Sequence, residues 1–196
     1  MATEDLKSLA RTARLDVLFS GYADDHVAGT VSLVRDGERV IVVDPGMVPA
    51  RAAILDPLEV LGVSPSGVTD IVLSHHHPDH TVNIALFGEI PVHDFQAVYQ
   101  RDTWEARAAD GVRLTPSVWL LATPGHTPQD LSVLVGTPEQ VVVLTHLWWT
   151  DQGPLEDPYA PDPEALRAQR ERILAIADLV VPGHGPAFVP GPRTPR

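Results

Sequence analysis

The chain of 196 residues contains no cysteine, a single lysine (Lys7) and no apolar run long enough to span a membrane. Without cysteine there is no disulfide framework, no thiolate metal ligand and no cysteine nucleophile, so any metal must be held by imidazole and carboxylate. The scarcity of lysine, with a formal charge of −12, argues against a general polyanion-binding surface, because neutralising phosphates takes clustered Lys and Arg. Bound divalent ions would still add positive charge locally and admit a phosphodiester to one cleft. The start, Met1-Ala2-Thr3-Glu4-Asp5, lacks the basic-then-apolar layout of a secretory leader, so a soluble, cytoplasmic protein with no membrane association is expected. No phosphate-binding P-loop occurs, Gly183-His184-Gly185 is too short for a dinucleotide fingerprint, and Gly62-Val63-Ser64-Pro65-Ser66 lacks the last glycine of a nucleophile elbow.

With 44% hydrophobic residues, the length suits one domain with a substantial core. Residues 1–14 are expected as an N-terminal arm or short helix, 15–190 as the domain and 191–196 as a C-terminal tail. Residues 15–20, 29–34 and 39–43 read as strands, the last two joined by a tight turn at Asp36-Gly37. Helical spacing follows over 49–61 and stops at Gly62. A short buried strand covers 70–73, a helix is expected within 79–87, an extended piece at 90–93, and a surface-facing helix over 94–112 anchored by Tyr99 and Trp104. Residues 118–122, 131–135 and 141–144 read as strands, Asp162-Pro163-Glu164 starts a helix with an N-cap aspartate, and 179–181 is a last strand. Strands in two sets, each followed by a helix, predict an α/β (α+β) architecture: a four-layer αββα sandwich of two mixed sheets with outer helices and a metal site at one rim.

The densest chemistry is Ser74-His75-His76-His77-Pro78-Asp79-His80, directly after a buried strand. Extended backbone points alternate residues the same way, so His75 and His77 can reach one ion while Asp79 and His80 turn toward a second. Three more histidines, His126, His146 and His184, each follow a strand among turn residues. One assignment gives His75, His77 and His126 to one metal and Asp79, His80 and His184 to another. Such sets suit Zn2+, one or two per chain, with Fe or Mn as alternatives. Water on such an ion can reach a pKa near ~7, so metal-bound hydroxide is the expected nucleophile and hydrolysis the expected output. Asp44 either caps the next helix or, the favoured role, accepts from a ligand imidazole; Asp130 either supports the site from outside the ligands or only begins a strand. His26, His76 and His93 default to structural or exposed positions. Trp148-Trp149 is more often packing, but beside His146 the pair is also a possible pocket wall.

At these residues the sequence resembles the metallo-β-lactamase-fold superfamily. Asp44-Pro45-Gly46 after a strand, the HxHxDH motif formed by His75, His77, Asp79 and His80, then Thr123-Pro124-Gly125-His126 and Gly183-His184-Gly185 stand in the family's order over residues 15–190. The resemblance implies an αββα hydrolase domain with a two-metal centre. Phe19-Ser20-Gly21-Tyr22-Ala23, His93-Asp94-Phe95 and the segment 177–186 resemble one subgroup in particular, for which phosphodiester cleavage in RNA is suggested; related single-domain members act on thioesters, lactones or persulfides. One departure stands out. Where the family places an aspartate that bridges both metals, this chain has His146, and a neutral imidazole has only one free lone pair. Either one metal binds tightly, or two share only a solvent bridge, or Asp151 reaches back to substitute; His146 is favoured as a direct ligand. The leading expectation is a hydrolase of a small ester, thioester or lactone, with Asp79 orienting the nucleophile. The alternatives are an RNA phosphodiesterase, a mononuclear iron persulfide-type dioxygenase and a non-catalytic metal-binding domain.

Overall fold

The computed structural model describes residues 8–196. The first half runs β1 (Arg14–Phe19), a ribbon of β2 (Tyr22–Ala23) and β3 (Val27–Ala28), then the hairpin of β4 (Val31–Asp36) and β5 (Arg39–Val43). Its turn places Gly37 at φ +59°, a left-handed conformation that glycine adopts without steric cost. α1 (Ala52–Val60), β6 (Asp70–Val72), α2 (Pro78–Thr81), β7 (Val92–His93), β8 (Ala97–Gln100) and β9 (Thr103–Ala106) follow. The second half comprises β10 (Arg113–Thr115), β11 (Val118–Ala122), β12 (Leu131–Gly136), β13 (Val141–Thr145), α3 (Pro163–Leu174) and β14 (Leu179–Pro182).

Two mixed sheets result. Seven strands lie in the order β1-β4-β5-β6-β7-β8-β9, with β6 parallel to both neighbours; five lie in the order β10-β11-β12-β13-β14, with only β13 and β14 parallel. Both faces of the central strands are buried, so their side chains alternate between two apolar layers. Val34, Ile41, Val43 and Val72 meet Leu120, Val133 and Leu144 between the sheets. Leu33, Val42 and Ile71 face the other way, onto Ile54 and Leu58 of α1. Leu121, Leu134 and Val143 face Leu166 and Ile173 of α3. Helix, sheet, sheet, helix is therefore the layer order, as the sequence predicts. Burial on both faces explains why these strands read as continuous apolar runs.

Asp162 caps α3 as expected, its Oδ1 accepting from Glu164 N and Ala165 N at 3.0 Å each. The helix expected over 94–112 is not there; β8 and β9 form a hairpin instead. Tyr99 and Trp104, expected as anchors on a helical surface, are cross-strand partners whose rings stack at 5.5 Å and 7°. The run 106–109 is alanine-rich and imitates a helix, but Arg101 turns the chain at φ +56°. Within 79–87 the backbone forms two short pieces, α2 and a 3-10 turn over Ile84–Phe87.

Of the segment 1–14, residues 1–7 lie outside the described residues. Leu9 is buried on the α3 side of the second sheet and Ala13 between the sheets. Thr12 Oγ1 and Thr115 Oγ1 both donate to the Asp36 carboxylate, at 2.7 and 2.5 Å, tying this segment to both sheets. Near the other end, Pro195 O accepts from Trp148 Nε1 at 2.8 Å. Among the described residues no helix is long and apolar enough to cross a membrane.

Candidate metal centre

β5, β6, β11, β13 and β14 all run toward the same rim, and each delivers a polar residue just past its end: Asp44, His75, His126, His146 and His184. The chain there is fixed by main-chain contacts. Asp44, at φ +52°, accepts from Ser74 N through Oδ1 and from Ser74 Oγ through Oδ2, each at 2.6 Å. Gly46 lies against the backbone of Asp79, whose carbonyl accepts from Met47 N at 3.0 Å. His77 is extended at ψ 145° and precedes Pro78, the first residue of α2, so the histidine run turns sharply and carries Asp79 and His80 back over the rim.

The donors converge. His75 Nε2 lies 2.9 Å from His77 Nδ1, which lies 3.2 Å from His126 Nε2. Asp79 Oδ2 lies 3.3 Å from His80 Nε2 and 3.5 Å from His184 Nε2. These separations approximate the ~3.3 Å edge of a tetrahedron with ~2.0 Å metal–nitrogen bonds. Three overlapping groups have the spacing to hold an ion: His75, His77 and His126; Asp79, His80 and His184; and His75, His80 and His146. The first two are the sets expected from the sequence.

The far nitrogens of the rings are anchored as metal-binding imidazoles require. Nδ1 of His80 donates to Asp44 Oδ2 (2.9 Å), that of His126 to Asp157 Oδ2 (2.8 Å) and that of His184 to Ala28 O (3.0 Å). Ser74 Oγ, having given its proton to Asp44, accepts from His75 Nδ1 at 3.0 Å. Each of these four rings therefore turns Nε2 toward the centre, the atom that carries the lone pair when the ring is neutral. His146 Nδ1 is buried without a hydrogen-bond partner, and His80 Nε2, also buried, has only the 3.3 Å approach of Asp79 Oδ2. A donor set of this kind fits a divalent transition ion.

Electrostatics agree for most of the donors. Burial first, then neighbouring imidazoles, hold His75 and His146 well below the usual histidine range, and burial also lowers His77 and His184; neutral rings are the ligand form. Burial would raise the Asp79 carboxyl, but its hydrogen bond to His80 and the charges of His80 and His184 bring it down to about 2. His80 is the exception: burial would lower it, yet Asp44 and Asp79 raise it to about 9, so an ion at His80 must displace a proton.

Asp44 is thus in contact with a candidate ligand. The Asp130 carboxylate accepts from Thr127 N and Thr127 Oγ1, at 3.0 and 2.6 Å, and so shapes the turn after His126; burial raises it to about 6 despite these bonds. Asp151 is exposed and bonded to Gln152, outside every donor group. His76 and His93 pair with Asp94 and Asp70, each at 3.0 Å, and His26 is exposed. Sequence reasoning missed Asp157. Besides His126 it accepts from Trp149 Nε1 at 3.0 Å, tying ligand and pocket wall together. It also missed Arg170, which is fully buried and donates to Leu147 O and Pro154 O, each at 2.8 Å, holding the loop that carries Trp149. The tryptophan pair divides its roles: Trp148 is core, while Trp149 faces the site.

Above the donors opens a cleft of about 370 Å3. Asp79, His77, His126, His146 and His184 form its floor, and Ala23, Val27, Pro78, Trp149 and Tyr159 its walls; Asp24 is the one further charged residue lining it. Trp149 and Tyr159 stack at 6.0 Å and 27°, and both present ring edges to His126.

An αββα sandwich with this donor set at its rim defines a class: the chain belongs to the metallo-β-lactamase superfamily, whose family model matches residues 24–187. More particularly, it is similar to metallo-β-lactamase domain-containing protein 1, the subgroup to which the sequence segments around Gly21, Asp94 and His184 point. The Xenopus laevis protein is 31% identical over 195 residues, covering 88% of this chain and 79% of that one. The Mus musculus protein is 37% identical over 196 residues, covering 88% and 73%. Among solved structures, an N-acyl homoserine lactone hydrolase with product bound at its catalytic metal centre shares the fold, with a TM-score of 0.60 at 20% identity over 83% of this chain and 87% of that one.

Proposed function

We propose that this protein is a metal-dependent hydrolase of a small ester, thioester or lactone. The observation that carries this is the composition of the cleft: its floor is histidines and Asp79, its walls are aromatic and aliphatic, and among the described residues neither Arg nor Lys lines it. Phosphodiester substrates call for cationic clamps on the phosphate, whereas an uncharged acyl group needs only an apolar wall beside the reacting carbonyl. The lactone hydrolase that shares the fold supports the same substrate class.

The ion is held from among His75, His77, Asp79, His80, His126, His146 and His184, and Zn2+ suits them, with Fe or Mn as alternatives. When bound, it supplies Lewis-acid polarisation of the carbonyl and lowers the pKa of water. Asp79, ionised above about pH 2, is too weak a base to carry off a proton at neutral pH; its Oδ2 accepts a hydrogen bond from water in the cleft and so orients the nucleophile. Trp149 and Tyr159 exclude bulk water on the His126 side and hold the acyl chain.

A substrate panel tests this on the metal-loaded protein. Lactones and thioesters are expected to exceed a diester phosphate and a single-stranded RNA in kcat/KM by about tenfold or more. The opposite order assigns the protein to RNA or phosphodiester cleavage. Oxygen consumption on a persulfide by an iron-loaded sample assigns it to the dioxygenase class, and no turnover of any member leaves a metal-binding domain without catalysis.

A further inference from the structure

Resting on the metal-site assignment above, we propose that this chain holds one ion, at the centre of the cluster, on His75, His80 and His146, in place of two at its ends. The three donor groups overlap: His75 belongs to both the first and the third, His80 to both the second and the third. An ion in the middle takes one ligand from each end group, so central and paired occupancy exclude each other.

Hydrogen bonding favours the centre. His184 Nδ1 donates to Ala28 O, which leaves the lone pair of neutral His184 on Nε2. His146 Nε2 lies 2.9 Å from that atom and must donate to it, so the lone pair of His146 is on Nδ1. That nitrogen is buried and has no partner, while Nε2 of His80, also buried, has only the 3.3 Å approach of Asp79 Oδ2. Both nitrogens belong to residues of the central group. Of the donors outside it, His184 Nε2 accepts from His146, and His126 Nε2 lies 3.2 Å from His77 Nδ1.

Charge points the same way. Two neighbouring dications repel unless anionic ligands offset them, and the position of a bridging carboxylate carries a neutral ring with one lone pair, leaving Asp79 as the single carboxylate among the seven donors and solvent as the one available bridge. The backbone is fitted to that ring: a Cβ on Gly183 would fall 2.3 Å from His146 Cδ2 and 2.6 Å from Nε2, so glycine is what admits an imidazole there.

The test is ion stoichiometry, independent of any substrate. Full-length protein stripped with chelator is titrated with Zn2+ and read by native mass spectrometry, and with Co2+ by its visible absorption. Wild type is expected to saturate at one ion per chain with a single Co2+ spectrum. His146→Ala is expected to bind that ion at least tenfold more weakly, with circular dichroism as the folding control, and His146→Asp to take up two ions. Two ions of comparable affinity in wild type would overturn the central site but leave a metallohydrolase. An unchanged one-ion affinity in folded His146→Ala would remove His146 from the ligands. No ion at all in folded wild type would reject the metal-site assignment as well.

Discussion

Replacing His75 or His80 with alanine is expected to lower metal affinity by more than about a hundredfold and to remove hydrolysis with it, beyond the 10–100-fold that follows from losing an outer partner of a ligand. Each belongs to the central group and to one end group, so each replacement removes a ligand whether the central group or both end groups are filled. Each also has its Nδ1 anchored, His75 by Ser74 Oγ and His80 by Asp44, so the ring is held in one orientation before an ion arrives. His76→Ala provides the contrast. That side chain is 42% exposed and donates to Asp94, away from the donors, and its loss is expected to leave metal content and rate within about twofold of wild type. Equal loss of metal from all three variants, read by elemental analysis of folded protein, would refute the ligand assignment.

Gly46→Ala is expected to be nearly as damaging although it removes no ligand. A Cβ at that position would stand 1.6 Å from Asp79 O, 2.1 Å from Asp79 C and 2.5 Å from His80 Cα. All three are backbone atoms, so no rotamer change relieves the overlap; the turn carrying Asp79 and His80 has to move, and the bond from Met47 N to Asp79 O goes with it. A cost of more than about 3 kcal/mol is expected, toward the upper end for overpacking, together with weaker metal binding. Gly67→Ala meets only Ser64 Oγ at 3.3 Å and serves as the mild comparison. If denaturant unfolding placed Gly46→Ala within about 1 kcal/mol of wild type, with full metal content, the close approach of the two segments would be wrong.

The histidine cluster is legible in the sequence because its candidate ligands are local in two senses: four of the seven fall within six residues, and the others each follow a strand of unmistakable apolar character. Burial on both faces made those strands readable in the same way. Asp157 carried no such mark. It is one of 26 acidic residues, in a loop without periodicity, and it meets His126 from 31 residues away. The available signal was indirect: a ligand imidazole needs an acceptor for its second nitrogen, and Asp157 follows Trp149 closely enough to share a loop with the pocket wall. The hairpin at 97–106 was hidden for another reason. Its strands are short and lie at the sheet edge, β9 is exposed throughout, and the alanines after it supply helical propensity that local sequence could not weigh against the Tyr99–Trp104 pairing.

Hydrolysis of a lactone or thioester, measured before and after chelation and again after returning one equivalent of ion, tests the central claim most directly. A metal-dependent hydrolase built on His75, His80 and their neighbours predicts activity that disappears with the ion and returns with it, while the fold persists by circular dichroism. Undiminished turnover in the fully chelated protein would contradict it.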